Sequence, residues 1–166
     1  MELELKIKLT DPEAIDNKIQ SLGAAVTGET EFTDTYFNQP EGEVFKVTDT
    51  RDGFYLIQFK RTPEGRFQYT KNNKIENANE VIAEMTGEYG VKCVLTGKRK
   101  LFSLGDLKIT INHINERGNF LILTGENPTE DFITGKLGIQ NPEYITQSFD
   151  ELTPTTSAAQ SPAQSQ

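Results

Sequence analysis

The sequence has 166 residues, and its 25 acidic and 17 basic side chains give a net charge of −8. This length predicts one domain with a core large enough to fold without metals, and the single cysteine, Cys93, excludes a disulfide within the chain. The excess of acidic side chains argues against general nucleic-acid binding. No apolar run has the length of a membrane span or the pattern of a signal peptide, so we expect a cytoplasmic protein with no membrane partner.

Composition changes near residue 153. The segment 153–166, TPTTSAAQSPAQSQ, contains no charge and no large apolar side chain. Such a segment cannot bury enough apolar surface to offset the entropy of ordering the chain. We therefore expect one folded domain over residues 1–152 and a disordered tail over 153–166.

The first predicted element is a strand with an unusual charged face. In MELELKIKL, alternate side chains of a strand point to opposite sides, so Glu2, Glu4, Lys6 and Lys8 share one face and four aliphatic residues share the other. A charged face is typical of a solvated edge strand. It would also suit the lining of a polar cavity, and the strand alone does not decide between the two.

Two helices and several strands follow in chain order. TDPEAIDNKIQSLG predicts a helix with a Thr10–Glu13 capping box and an apolar stripe of Ile15, Ile19 and Leu22. Residues 24–71 have the aromatic and β-branched patterns of an antiparallel meander, and ENANEVIAEMTGEYG predicts a second helix. Three further strands lie between residues 91 and 126, and two helices are expected after Asn127-Pro128 and Asn141-Pro142.

This order predicts an α+β fold. About eight antiparallel strands with few helices favour a closed β-barrel or a strongly curved sheet, with the helices packed outside. Basic side chains recur on the strands, as in VFKVT, FKR, GKRK and LKITINHI. If the sheet closes, such faces converge inside it, and buried cations then need anionic partners.

The opening motif Glu2-x-Glu4-x-Lys6 resembles the signature of the CYTH superfamily. That superfamily includes class IV adenylate cyclases, thiamine triphosphatases and inorganic triphosphatases, which share the triphosphate tunnel fold. The resemblance covers nearly all of residues 1–152, through TDTYFN, VFKVT, YLIQFKR, GKRKLF and the hairpin KITINHINERGNFLILTGE. It departs at Thr48, where an arginine is usual, and at Gly97, where a lysine is expected.

The resemblance implies a triphosphate or another anionic small molecule as the partner, bound by basic residues of several strands. In YLIQFKR the register leaves either Lys60 or Arg61 as the matching base. The implied phosphate-binding candidates are Lys6, Lys46, Lys60, Arg61, Lys98, Arg99 and Lys108.

The final hairpin departs from the family where metal ligands are expected. Family members carry an aspartate and a glutamate-x-glutamate pair there, and this chain has Asn112, Ile122 and Thr124. The resemblance implies Mg²⁺ or Mn²⁺ as the cofactor, with Glu2 and Glu4 as ligands and Asn112 as an additional oxygen. Because hard cations favour several carboxylate ligands, we expect a weakened metal site and weak or absent metal-dependent catalysis.

Three functions remain open at this point. The chain could bind a phosphorylated anion without turnover, act as a metal-dependent triphosphatase or adenylate cyclase, or serve as a scaffold whose charged first strand is only an edge. No catalytic residue is assigned, because His113 is expected to be structural or exposed and Cys93 to be a small core residue. Whether the chain forms a homodimer is also left open.

Overall fold

The structure is a computed structural model, and it describes residues 2–154. The expected tail therefore lies almost wholly outside the described residues.

Nine strands and two α-helices are described. The strands are β1 (Leu3–Leu9), β2 (Ala25–Phe37), β3 (Glu43–Thr50), β4 (Gly53–Arg61), β5 (Phe67–Ile75), β6 (Val91–Leu104), β7 (Leu107–Ile114), β8 (Gly118–Gly125) and β9 (Glu143–Tyr144). The helices are α1 (Pro12–Ser21) and α2 (Ala78–Tyr89), and short π-helical and 3₁₀ turns occupy Phe132–Lys136 and Phe149–Glu151.

The sheet closes into an antiparallel barrel of eight strands. The strands follow the order β5-β4-β3-β2-β6-β7-β8-β1, and β1 pairs again with β5, where Leu3 lies opposite Gln68 and Glu4 opposite Phe67. The two-residue strand β9 continues along the same edge of β1, with Ile7 opposite Tyr144. The predicted α+β barrel with outer helices is thus confirmed.

Strand alternation separates an outer core from the barrel interior. Leu5, Ile7 and Leu9 of β1 point outward and pack with Ile19 of α1, while Ile15 and Leu22 are half-buried against the same cluster. Glu4 and Lys6, between these residues, face inward and are buried. The charged face of β1 is therefore part of the interior, and the edge-strand alternative is wrong for these two side chains.

Two local predictions are corrected by the structure. The N-cap of α1 is Asp11, not Thr10: the amide of Ala14 donates to Asp11 Oδ1 at 3.1 Å, and Pro12 occupies the first helical position. After Pro142 the chain forms β9 and a 3₁₀ turn rather than a helix. The reason is that β1 offers a free edge there, and the amide of Ile145 donates to the Lys6 carbonyl at 2.8 Å.

The outer helices complete the packing. Helix α2 covers Phe37, Phe45 and Val47 on the outside of β2 and β3. The π-helical turn contributes Ile133 to the cluster beneath α1. Among the described residues, no helix is both long enough and apolar enough to cross a membrane.

Candidate functional site: the barrel cavity

The barrel encloses a cavity of about 570 Å³, a size typical of small-molecule sites. Its wall combines charged side chains with aromatic and aliphatic ones, because inward-facing positions of every strand except the short β9 contribute. Of the predicted site residues, those that line it are Glu2, Glu4, Lys6, Lys46, Arg99, Lys108 and Asn112.

Three predicted phosphate-binding residues do not line this cavity. Lys98 is exposed on the outer surface, because it precedes the inward-facing Arg99 on β6 and alternation turns the two in opposite directions. Lys60 is likewise exposed next to the buried Phe59. Arg61 lies at the end of β4, where its Nη2 donates to Glu151 Oε1 at 2.7 Å. Sequence reasoning assigned adjacent bases of one strand to the same site, although neighbouring strand residues point to opposite faces of the sheet.

Lys6 lies deep in the cavity and has an unusual environment. Its Nζ lies 4.6 Å from the centre of the Phe67 ring and 4.2 Å from that of Phe149, and it donates to the Gln147 carbonyl at 3.2 Å. Within the described residues, no carboxylate oxygen is within 4.0 Å of this ammonium group. Burial lowers the pKa of Lys6 to about 8, although the nearby negative charge of Glu4 opposes this.

Lys46 and Arg99 share one buried carboxylate. Lys46 Nζ donates to Asp34 Oδ2 at 2.8 Å, and Arg99 Nη2 lies 3.7 Å from the same oxygen. The Arg99 guanidinium also stacks on Phe32, 4.0 Å from the ring centre. Asp34 was not singled out from the sequence, although it shares its strand face with the inward-facing Tyr36, and that alternation could have identified it.

Three buried polar atoms beside this pair have no hydrogen-bond partner in the part of the chain that the structure describes. They are Asp34 Oδ1, Thr48 Oγ1 and Arg99 Nε. Asp34 and Thr48 are opposite one another on β2 and β3. Buried polar atoms are usually paired, so this wall of the barrel has unmet hydrogen-bonding capacity.

The two glutamates of the opening motif are already engaged by protein groups. Tyr69 donates its hydroxyl to Glu4 Oε2 at 2.6 Å, and burial raises the pKa of Tyr69 well above its ordinary value, so the phenol keeps its proton. Glu2 forms an ion pair with Lys108, whose Nζ is 3.4 Å from Glu2 Oε2. Tyr69 is a further site residue that sequence reasoning missed.

The residues at the positions where the resemblance predicts acids also line the cavity. Thr124 lies opposite Glu4 on the neighbouring strand β8, and Ile122 lies opposite Lys6. Asn112 is buried, and its amide nitrogen lies 3.5 Å from the Thr110 carbonyl.

Glu2, Glu4, Asn112 and Thr124 are the oxygen donors that this region offers to Mg²⁺ or Mn²⁺. Within residues 2–154, no group of three or more His, Cys, Asp or Glu side chains is arranged to hold a metal ion. Mg²⁺ favours six oxygen ligands in near-octahedral geometry. Because Glu4 accepts from Tyr69, Glu2 pairs with Lys108 and Ile122 offers no oxygen, the residues present do not fit a resident divalent cation.

Comparison with known proteins identifies the fold. No protein-family model and no curated protein matches the sequence. Among solved structures, the PH1012 protein from Pyrococcus horikoshii OT3 is similar with a TM-score of 0.80 and 21% identity, over 92% of this chain and 99% of that one. A candidate adenylate cyclase from Vibrio parahaemolyticus is similar with a TM-score of 0.61 and 18% identity, over 80% of each chain.

A third similar structure is the protein HpAC1 from Hippeastrum, described as having a dominant triphosphatase activity. Its TM-score is 0.59 at 15% identity, and the match covers 89% of this chain and 92% of that one. At these identities the likeness concerns the fold. The chain therefore has the triphosphate tunnel fold that its resemblance to the CYTH superfamily predicted.

Proposed function

We propose that this protein binds a phosphorylated or other anionic small molecule in its barrel cavity and does not turn it over efficiently with a metal ion. The observation that carries the proposal is the position of Lys6, a buried cation that faces the cavity and has no carboxylate partner among the described residues. A buried charge without a counterion is costly, so such a group is favoured where a ligand supplies the opposite charge.

Lys46 and Arg99 support the same conclusion. Both are on the cavity wall, and Arg99 has hydrogen-bonding capacity that no described group uses. A phosphate oxygen accepts charge-assisted hydrogen bonds from ammonium and guanidinium groups, and guanidinium can bind two oxygens at once. In this proposal Lys6, Lys46 and Arg99 hold the anionic group, and Lys108 is the cation nearest to solvent.

The donor set at Glu2, Glu4 and Asn112 supports the absence of efficient metal-dependent turnover. A metal-dependent hydrolase or cyclase uses its cations to neutralise charge that develops on phosphate oxygens. With an isoleucine and a threonine in place of two carboxylates, the cavity lacks the negative ligands that would retain such cations.

Adjacent bases on opposite faces of β6 provide a matched test. Calorimetric titration with inorganic phosphate and tripolyphosphate would compare Arg99→Met with Lys98→Met, which each remove one positive charge from the same strand. We expect saturable binding by the wild type, a loss of affinity of about tenfold or more in Arg99→Met, and little change in Lys98→Met. Equal effects of the two variants would place binding outside the cavity and overturn the proposal.

Turnover is measured separately on a panel of triphosphates with Mg²⁺ or Mn²⁺. We expect release of phosphate or cyclic nucleotide far below about 1 per second. A rate at or above that value would make the protein an active triphosphatase or cyclase. Absence of any saturable anion binding would favour the scaffold alternative instead.

A further inference from the structure

We infer that the ligand of this cavity is an amphipathic organic acid, with one acidic group (a phosphate monoester or a carboxylate) attached to an aromatic or branched apolar body. A polyphosphate is the poorer fit. The inference rests on the proposed function and specifies its ligand class. Three features of the cavity support it: its internal charge balance, the acids near its solvent-exposed side, and the apolar part of its wall.

The buried part of the site carries about one net positive charge. Lys6, Lys46 and the partly buried Arg99 supply three cations, and Glu4 and Asp34 supply two carboxylates. Asp150 and Glu151, whose charges also act on Lys6, are paired with Lys92 and Arg61. Because Asp34 already neutralises Lys46 and lies near Arg99, Lys6 is the cation without a described carboxylate at ion-pair distance, although Glu4 lies nearby. One acidic group compensates this charge, whereas a polyphosphate brings several negative charges close to two buried carboxylates.

The exposed part of the cavity adds more acids than bases. Glu29 and Asp52 line it and are exposed, and Glu29 lies 3.6 Å from Lys100. Glu2, also on the lining, is paired with the highly exposed Lys108. A chain of phosphates extending from the buried cations toward solvent would meet these carboxylates. Like charges at short distance disfavour such a ligand, and one acidic group bound deep in the cavity avoids them.

The wall offers apolar contact where the family resemblance predicted metal ligands. Ile122 packs in one buried cluster with Phe59, Phe67 and Phe149, and all four side chains line the cavity. The Phe59 ring also lies 4.6 Å from that of Tyr69, another cavity residue. A hydrated polyphosphate gains nothing from these surfaces, whereas an aromatic or branched body gains the free energy of removing apolar area from water.

Matched ligands separate the contributions of charge and apolar area. Titration calorimetry on the intact protein would use phenyl phosphate, benzoate, inorganic phosphate and tripolyphosphate. We expect phenyl phosphate or benzoate to bind at least tenfold more tightly than either inorganic anion, and the better of the two identifies the acidic group. Tighter binding of tripolyphosphate overturns this inference but leaves the proposed function intact, whereas no binding of any anion overturns both.

Two pairs of variants test the wall and the unpaired cation. Ile122→Glu places a carboxylate in the apolar wall, and Val94→Glu, at a side chain 54% exposed on the outer surface, adds the same charge outside the cavity. We expect at least tenfold weaker phenyl phosphate binding in Ile122→Glu and unchanged binding in Val94→Glu.

Lys6→Met provides a second test, which remains usable if Ile122→Glu does not fold. It removes the unpaired charge and keeps an unbranched side chain in the aromatic surroundings. We expect it to weaken phenyl phosphate and benzoate binding at least tenfold, with Lys98→Met as the exposed control. Unchanged affinity in Lys6→Met, measured on folded protein, overturns the inference.

Discussion

Lys46 Nζ and Asp34 Oδ2 form a buried ion pair, 2.8 Å apart, inside the barrel. The pair is diagonal across β2 and β3, since Asp34 lies opposite Thr48 and Lys46 lies opposite Tyr36. Arg99 approaches the same oxygen to 3.7 Å. One carboxylate therefore lies beside two cations of the cavity, and it contributes to the charge that the cavity presents to a ligand.

Asp34→Asn is expected to destabilise the empty protein and strengthen its binding of polyanions. Removal of one member of a buried pair leaves an uncompensated charge and typically costs about 3–5 kcal/mol. The same change gives the cavity one more net positive charge. We expect a lower Tm without ligand, and a larger increase in Tm on adding tripolyphosphate than the wild type shows.

Glu31→Gln is the matched control for this experiment, because Glu31 is an exposed acid on the same strand. It should leave the Tm and the response to tripolyphosphate nearly unchanged. If Asp34→Asn responded to tripolyphosphate no more than Glu31→Gln does, the charge balance assigned to the cavity would be incorrect.

Lys6 should make stability depend on pH in the alkaline range. Its pKa is about 8 in the folded protein, lowered by burial from 10.5, so between these values the unfolded chain binds more protons than the folded one. Stability attributable to Lys6 therefore rises with pH across this window and is lowest below pH 8. Relative to Lys6→Met, the wild-type protein should gain Tm as the pH increases from 7 to 10.

Thermal unfolding of both proteins at several pH values measures this difference. Lys98→Met, which removes an exposed lysine, should show a constant offset from the wild type over the same range. A constant offset for Lys6→Met as well would mean that the Lys6 ammonium group is solvated, contrary to its burial between Phe67 and Phe149.

The features predictable from the sequence are those that depend on periodicity within one element. Alternation along β1 correctly indicated two opposite faces. Of the stripe expected to be buried on α1, Ile19 is buried, whereas Ile15 and Leu22 are only half-buried. The closed barrel was predicted from strand number and from the resemblance to a known family.

The features that could not be predicted depend on contacts between distant elements. The partner of Asp34 follows from the register of β2 against β3, and the conformation of β9 follows from the edge that β1 leaves free. A run of bases such as Lys98-Arg99-Lys100 does not show which of them faces inward until the strand is placed. The engagement of Glu4 by Tyr69 depends likewise on the closure of β1 against β5.

Gly97 occupies a position where a side chain cannot be accommodated without a shift of the backbone. A Cβ atom there would overlap the His113 carbonyl oxygen and lie 3.0 Å from the Phe32 ring. Gly97→Ala should therefore destabilise the protein by about 2 kcal/mol or more. Gly87→Ala, in helix α2 with open space around it, should be neutral or stabilising by up to about 1 kcal/mol.

Denaturant unfolding of the two glycine variants compares them directly. A destabilised Gly97→Ala would account for glycine at the position where the resemblance predicts a lysine, because a lysine at residue 97 would disrupt the β6–β7 pairing before it could add a cation to the cavity. A Gly97→Lys variant as stable as the wild type would contradict this explanation.

Replacing the three divergent residues of the final strands by acids should create affinity for Mg²⁺. Thr124 lies opposite Glu4, and Asn112 and Ile122 line the same cavity, so Asn112→Asp, Ile122→Glu and Thr124→Glu together add three carboxylates beside Glu2 and Glu4. Without metal, these buried like charges repel one another and should lower the Tm. A bound cation compensates them, so Mg²⁺ should raise the Tm of the triple variant more than that of the wild type.

The control is the double variant Ile122→Gln and Thr124→Gln, which keeps Asn112 and has similar side-chain size without the added charge. Its Tm should respond to Mg²⁺ as the wild type does. If the acidic variant folds and Mg²⁺ titration changes neither its Tm nor its heat of binding, the cavity lacks the geometry for a cation even with these acids present. The shape of the barrel, rather than the absence of acids at residues 112, 122 and 124, would then be what prevents metal binding.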